Sequence, residues 1–207
     1  MEKTLNFSEP FVTAEQISYT NNYEIDHKSI IINIDLDPLQ LEELELPTMK
    51  SAICANTTIE KVKNMIVITV VNEDYLGNNP QIDREIIKNS WQHVYDLFNK
   101  PYLQHISLWR SEKQRIGRLE MNLWYAPAGT NCGMHNMHDF QEVHTQIYGI
   151  GRMQKFREND MRTLYQEVYM SPGYSHDPFY TSFGKYPWHQ YYADTDCIWL
   201  AIEQHPI

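Results

Sequence analysis

The apolar positions change period along the chain, and the changes mark the elements. In residues 29–35, Ile30, Ile31, Ile32 and Ile34 form a β-branched cluster that predicts a strand. Residues 64–71, NMIVITVV, predict a second and stronger strand. Asp74, Gly77, Asn78, Asn79 and Pro80 follow as a turn or loop signal. The period then becomes helical. Ile82, Ile86, Ile87, Trp91, Val94, Tyr95 and Phe98 recur on one stripe, which predicts an amphipathic helix over residues 81–99, ended by Pro101. Beyond Tyr102 the apolar residues alternate. Residues 106–109 (ISLW) and 119–125 (LEMNLWY) read as half-buried strands, and residues 196–203 read as a closing strand. Short strands punctuated by Gly and Pro predict a small antiparallel barrel or jelly roll, in which closure protects the edges.

Composition narrows this picture. A chain of 207 residues holds one large domain or two small ones. With 42% hydrophobic and 21% charged residues it is an ordinary globular composition, which excludes general disorder. No apolar run approaches the roughly 18 residues of a membrane helix, and the first residues lack the apolar core of a secretory signal. Cys54, Cys132 and Cys197 are far apart and odd in number, which argues against a disulfide framework and fits a reducing cytoplasm.

The net charge of -10 disfavours nucleic-acid binding. It is uneven: Met1 to Glu60 carries 11 acidic and 3 basic residues, leaving 16 and 14 for the remainder. The acidic stretch centred on residues 35–45 reads as a solvated face, with a docking surface for a basic partner as the alternative. The organisation expected is an N-terminal extension over residues 1–100, with strands and one helix, followed by a β-barrel domain over 101–207.

The chemistry concentrates late in the chain. Six of the nine histidines fall between His135 and His205. Residues 129–156 read GTNCGMHNMHDFQEVHTQIYGIGRMQKF and place His135, His138, Glu142 and His144 within ten positions. Imidazole and carboxylate ligands suit a divalent metal such as Fe, Mn, Ni, Co or Zn. On a strand, Glu142, His144, Gln146 and Tyr148 share one side, and Val143, Thr145 and Ile147 share the other. A polar interior lining calls for a ligand or metal.

This stretch resembles the first conserved motif of the cupin superfamily: a glycine, five residues, a His-x-His pair, three or four residues, a glutamate, six residues and a glycine. Here Gly129, His135, His138, Glu142 and Gly149 keep every spacing except one, because the pair is His-x-x-His. The extra residue matters, since strand positions three apart face opposite sides and both histidines then need a bulge to point inward. Without one, only His138 keeps the spacing to Glu142. Two places resemble the second cupin motif, Ser171-Pro172-Gly173-Tyr174-Ser175-His176 and the segment around His189. Either His176 or His189 is then the further ligand, His189 being favoured by its position before the last strand. The intervening Tyr- and Phe-rich stretch is expected to fold over the pocket mouth as a lid.

The resemblance, which covers residues 102–207, implies a mainly β fold, a double-stranded β-helix barrel of the RmlC-like cupin type. It implies a divalent metal, Fe(II) preferred and Mn, Ni or Zn allowed, held by His135, His138, Glu142 and His189 or His176. It also implies a homodimer and a small-molecule substrate. With Fe(II) the expected activity is a dioxygenase, and with Mn, Ni or Zn an isomerase, epimerase or lyase. A non-catalytic metal- or ligand-binding cupin is the alternative, and an interaction module a third. Glu142, His144 and Tyr148 are the candidate catalytic groups, and Gln146 and Trp199 the candidate substrate contacts. Cys132 reads as a small buried hydrophobe that could also line the pocket. His27, His93, His105 and His205 read as ordinary.

Overall fold

The computed structural model describes residues 1–7, 12–70, 84–179 and 186–205. The expected turn signal at Asp74–Pro80 and the start of the expected helix lie outside the described residues, as do 180–185 of the expected lid. The chain divides into two compact units, Met1–Pro80 with Gly173–Ser175, and Gln81–Pro172 with His176–Ile207. The helical stretch after Gln81 therefore groups with the second unit.

The described part of the first unit is all β. Strands β1 (Glu2–Thr4), β2 (Val12–Ile25), β3 (Ser29–Asn33), β4 (Leu39–Leu41), β5 (Leu44–Leu46), β6 (Ser51–Cys54) and β7 (Thr57–Val70) follow one another. The order in the main sheet is β1-β2-β7-β3-β6, and β4 pairs with β5. The isoleucine run forms β3, whose five residues are all buried, as an inner strand demands. Ile17, Ile31, Met65 and Val67 meet on one face in a core cluster with Leu39, Leu41 and Leu46.

The second unit begins with α1 (Arg84–Ser90), β8 (Gln92–His93) and α2 (Val94–Phe98). The single helix expected over 81–99 is thus two short helices around a strand. The helical stripe is genuine at Ile87, Trp91 and Val94, which are buried, whereas Ile86 and Phe98 are exposed. What overrides the periodicity is tertiary pairing. Gln92 and His93 lie against Arg110 and Trp109, and the His93 ring bonds the Ile106 carbonyl at 2.8 Å.

The remaining strands are β9 (Trp109–Arg110), β10 (Gln114–Ile116), β11 (Leu119–Ala126), β12 (Gln141–Tyr148), β13 (Gly151–Phe156), β14 (Leu164–Met170), β15 (Trp188–Ala193) and β16 (Cys197–Gln204). One antiparallel sheet has the order β12-β16-β11-β9-β8, with β10 on β11, and a second has β14-β13-β15. The expected strand at 106–109 is shorter and later, since only Trp109 and Arg110 find partners. Met153, Met170, Tyr191 and Ala193 from the smaller sheet join Ala126, Cys197, Trp199 and Ala201 from the larger in one core. The fold is mainly β, and no described helix is long and apolar enough to cross a membrane.

Candidate metal centre

The larger sheet sets the site by register. Arg110, Trp124, Trp199 and Gln146 lie side by side across β9, β11, β16 and β12. Two residues along the strands, Asn122, Ala201 and His144 form the next row on the same face. Two further along come Glu120, Glu203 and Glu142. The small side chain of Ala201 leaves room beside His144. A cavity of about 360 Å³ opens here, with Glu142, His144, Trp124 and Trp199 on its wall.

The histidines come from the opposite side. After β11, the chain at residues 131–135 runs beside β15 through bridges Asn131↔Tyr192 and His135↔His189. His135 N–H donates to His189 O at 3.0 Å and His189 N–H to His135 O at 2.9 Å. That exchange sets the two imidazoles side by side, with ring centroids 4.3 Å apart. Residues 136–138 carry no strand pairing. The alternation that would send His135 and His138 to opposite sides therefore does not apply, and their rings stand 4.8 Å apart. His138 also packs on Phe140 and Tyr186.

One ligand nitrogen from each of His135, His138 and His189 lies within 4.8 Å of the others. Backbone carbonyls choose which nitrogen is free. His135 Nδ1 bonds Gly133 O at 3.0 Å, and His189 Nδ1 bonds Pro187 O at 3.0 Å, so both rings keep Nε2 for the cavity. His138 Nε2 and His189 Nε2 are buried without a hydrogen-bond partner. Burial pushes the His138 pKa down to about 4 and holds that of His189 lower still, so both imidazoles are neutral. Lone pairs gathered in a desolvated pocket repel unless an electrophile sits among them. A mid-row divalent cation meets that need, and the donor set fits it.

Glu142 stands outside this cluster of three. Its carboxylate Oε2 lies 3.2 Å from His144 Nε2, and it is 6% exposed. Burial opposes its charge, but the adjacent His144, bonding to it, outweighs burial and holds the carboxyl well below its usual range. His144 Nδ1 is buried without a hydrogen-bond partner.

Three expected site residues sit elsewhere. His176 is 2% exposed and both its nitrogens are engaged: Nε2 accepts from the His144 backbone N–H at 2.9 Å, and Nδ1 bonds Asp177 O at 2.7 Å. It staples β12 and has no lone pair left for a metal. Gln146 is fully buried, with Oε1 accepting from Tyr191 OH at 2.7 Å and Nε2 donating to Tyr148 O at 2.8 Å. It braces the two sheets and does not reach the cavity. Tyr148 leaves the shared face because β12 bulges after Gln146, which pairs Tyr148 with Ile198 where Gln146 pairs with Trp199. Trp199 and Cys132 do line the cavity, and burial pushes the Cys132 thiol far up, which keeps it protonated.

Sequence reasoning passed over Arg110, Lys113 and Glu203, which also line this space. For Glu203 the signal was present in the alternation of β16, where a charged residue falls on the inward phase, whereas Lys113 lies between β9 and β10 and Arg110 on a two-residue strand, where alternation gives no signal. Lys113 Nζ bridges Glu120 at 2.5 Å and Glu203 at 3.0 Å, which offsets the repulsion of facing carboxylates.

The staple is pH-sensitive. Protonation would turn the His176 acceptor into a donor facing the His144 N–H. Burial, and then the neighbouring His144, lower the His176 pKa from 6.5 to about 3. The unfolded chain thus binds more protons between those values, and the stability present above about pH 6.5 falls by about 3–5 kcal/mol as the pH drops towards 3. His176→Gln should flatten this slope in denaturant unfolding followed by circular dichroism at several pH values. Parallel slopes in the two proteins would contradict the assignment.

No family model matches the chain, and no curated protein matches it. Solved structures match about half of it. An RmlC-like cupin protein from Desulfovibrio desulfuricans is 17% identical, with a TM-score of 0.36 over 50% of this chain and 86% of that one. Ectoine synthase from P. lautus is 12% identical, with a TM-score of 0.38 over 50% of this chain and 68% of that one. A cupin domain from Bordetella pertussis is 16% identical, with a TM-score of 0.34 over 46% of this chain and 91% of that one.

Proposed function

We propose that the second unit is a metal-dependent enzyme of the cupin type that acts on a small molecule, and in its most specific form a non-heme Fe(II) dioxygenase. The observation that carries this reading is the convergence of His135, His138 and His189, one nitrogen of each lying within 4.8 Å of the others, with the backbone leaving Nε2 of His135 and His189 free. These three residues would hold the ion. Fe(II) bound there would supply open positions for dioxygen and substrate together, whereas Mn, Ni or Zn would polarise a carbonyl or hydroxyl.

The chain's own residues supply the rest. Phe140 and Tyr186 hold the His138 ring in place by packing. Trp124 and Trp199 give the cavity wall broad apolar ring surface on which the body of a small molecule can pack. Glu142, kept ionised, can accept a proton at its carboxylate, and His144 Nε2 can return one. That pair favours a second reading, an isomerase, epimerase or lyase, in which proton transfer is the main chemistry.

Metal analysis of protein purified without added metal, followed by oxygen-electrode measurements with candidate substrates, tests the proposal. About one ion per chain and substrate-dependent oxygen uptake are expected, as for a mononuclear site. Turnover without oxygen uptake would hand the site to the second reading. Bound metal with neither would favour a non-catalytic cupin, and a metal content far below stoichiometric would remove the metal reading.

A further inference from the structure

Three hydrogen-bond donors on the cavity wall have no acceptor. Arg110 Nε, Trp124 Nε1 and Trp199 Nε1 are each buried without a hydrogen-bond partner. They belong to one row of cross-strand neighbours on β9, β11 and β16, and all three residues line the cavity. Their adjacency is therefore set by sheet register. Buried donors left without acceptors are costly, and folded proteins avoid them unless a ligand or water serves them.

Arg110 has further features of a binding group. Its guanidinium carbon stands 5.2 Å from the Phe98 ring and 5.6 Å from the Trp124 ring. Held against these aromatic faces, it keeps its planar fork in position. Among the described residues no carboxylate lies within ion-pair distance of it. Glu120 and Glu203 attract it electrostatically, but their direct ion pairs go to Lys113, which leaves the guanidinium without a carboxylate hydrogen-bonded to it. Lys100 and Lys113 add further cations to the cavity lining. The opposite end of the wall is acidic. Glu142 and Glu203 lie four residues along β12 and β16 from the row of Gln146 and Trp199, a span of about 13 Å. The cavity is thus polarised, and its volume of about 360 Å³ suits a small organic molecule.

We infer that the cavity binds a small organic oxyanion, a carboxylate or a phosphate ester, through Arg110 with the indole N–H groups of Trp124 and Trp199. This deepens the enzyme reading, since it rests on the cavity being the substrate site. The anionic group sits at the Arg110 end and the body of the molecule extends towards His144 and Glu142. Arg110 is on this reading a substrate-binding residue that selects charge. It has no part in holding the metal.

Titration of the purified protein with benzoate, phenyl phosphate and neutral benzamide, followed by tryptophan fluorescence, tests this. Benzoate or phenyl phosphate should bind at least about tenfold more tightly than benzamide, as expected for hydrogen bonds to a charged group. The tighter of the two anions identifies the oxyanion. Arg110→Gln should erase the preference. Arg110→Lys, which keeps the charge and loses the fork, should retain part of it and guards against a folding defect in the first variant. Metal content measured in the same preparations should be equal in wild type and variants. Equal affinity for benzoate and benzamide, no binding of any of the three probes, or a preference that survives Arg110→Gln would overturn the inference. The last result would assign the anion to the metal. Absence of metal from all the proteins, with the anion preference intact, would overturn the metalloenzyme reading alone.

Discussion

His189→Ala is expected to abolish metal binding at the proposed three-histidine site, whereas His176→Gln should preserve it. His189 supplies one of three nitrogens in the cluster and is the only one of them on β15. Its Nδ1 is committed to Pro187 O, so its free Nε2 serves the cavity and nothing else. Loss of that nitrogen leaves two imidazoles, and the affinity for a divalent ion should fall by about a hundredfold or more, since even loss of an outer-shell partner costs ~10–100-fold. His176 has both nitrogens engaged by backbone groups, and a glutamine can still accept the His144 N–H. Competition with a chromophoric chelator measures the difference. A second readout is thermal: added metal should raise the melting temperature of wild type and of His176→Gln, and leave His189→Ala unmoved, because only a protein that binds the ion in its folded state is stabilised by it. Equal metal loss in the two variants would show that the three-histidine cluster is misassigned.

The largest expected effect on stability comes from Gly149→Ala, with Gly129→Ala as its control. Both glycines have positive φ, +75° and +80°. Their surroundings differ. A Cβ at Gly149 would run into the carbonyl of Asp196 and lie 2.7 Å from Thr195 Oγ1, whereas one at Gly129 meets open space. Gly149 sits where the chain leaves β12 for β13 and so passes from one sheet to the other. The turn there is tied down. Asp194 and Thr195 N–H both donate to Ile150 O at 3.0 Å, and Ile150 N–H donates to Thr195 Oγ1 at 2.9 Å. The clash therefore has no soft side to relax into. Left-handed strain of about 1–2 kcal/mol applies to both variants. Overpacking against a fixed backbone adds about 1–3 kcal/mol at Gly149 alone. Chemical denaturation should place Gly149→Ala about 1–3 kcal/mol below Gly129→Ala, and equal losses would refute the steric argument.

These two glycines show how far spacing along a chain can be read. Gly129, His135, His138, Glu142 and Gly149 stand at recognisable intervals, and the resemblance of those intervals to a cupin motif implied a β fold with a metal site. The isoleucine and valine runs of β3 and β7 were legible because β-branched residues that are apolar on both sides suit an inner strand. Residues 81–99 misled because a helical stripe records only local periodicity. Gln92 and His93 instead pair with a strand that starts more than a dozen residues later. Tyr148 misled for a related reason, since strand alternation holds only until a bulge, and the bulge after Gln146 answers to β16.

By itself the sequence determined the kind of chemistry: nitrogen and carboxylate donors concentrated on a short β-rich stretch, with Glu142 and His144 sharing one strand face. That much follows from composition and from the two-residue period of a strand. Only the tertiary structure decided which donors meet. It chose His189 over His176 by the backbone exchange with His135. It allowed His135 and His138 to converge because residues 136–138 leave the strand. It paired Glu142 with His144, and it aligned Arg110 with Trp124 and Trp199. The physical reason is that a side chain's direction is set locally, whereas a shared point in space is set by the register between strands and by the carbonyls that orient each ring.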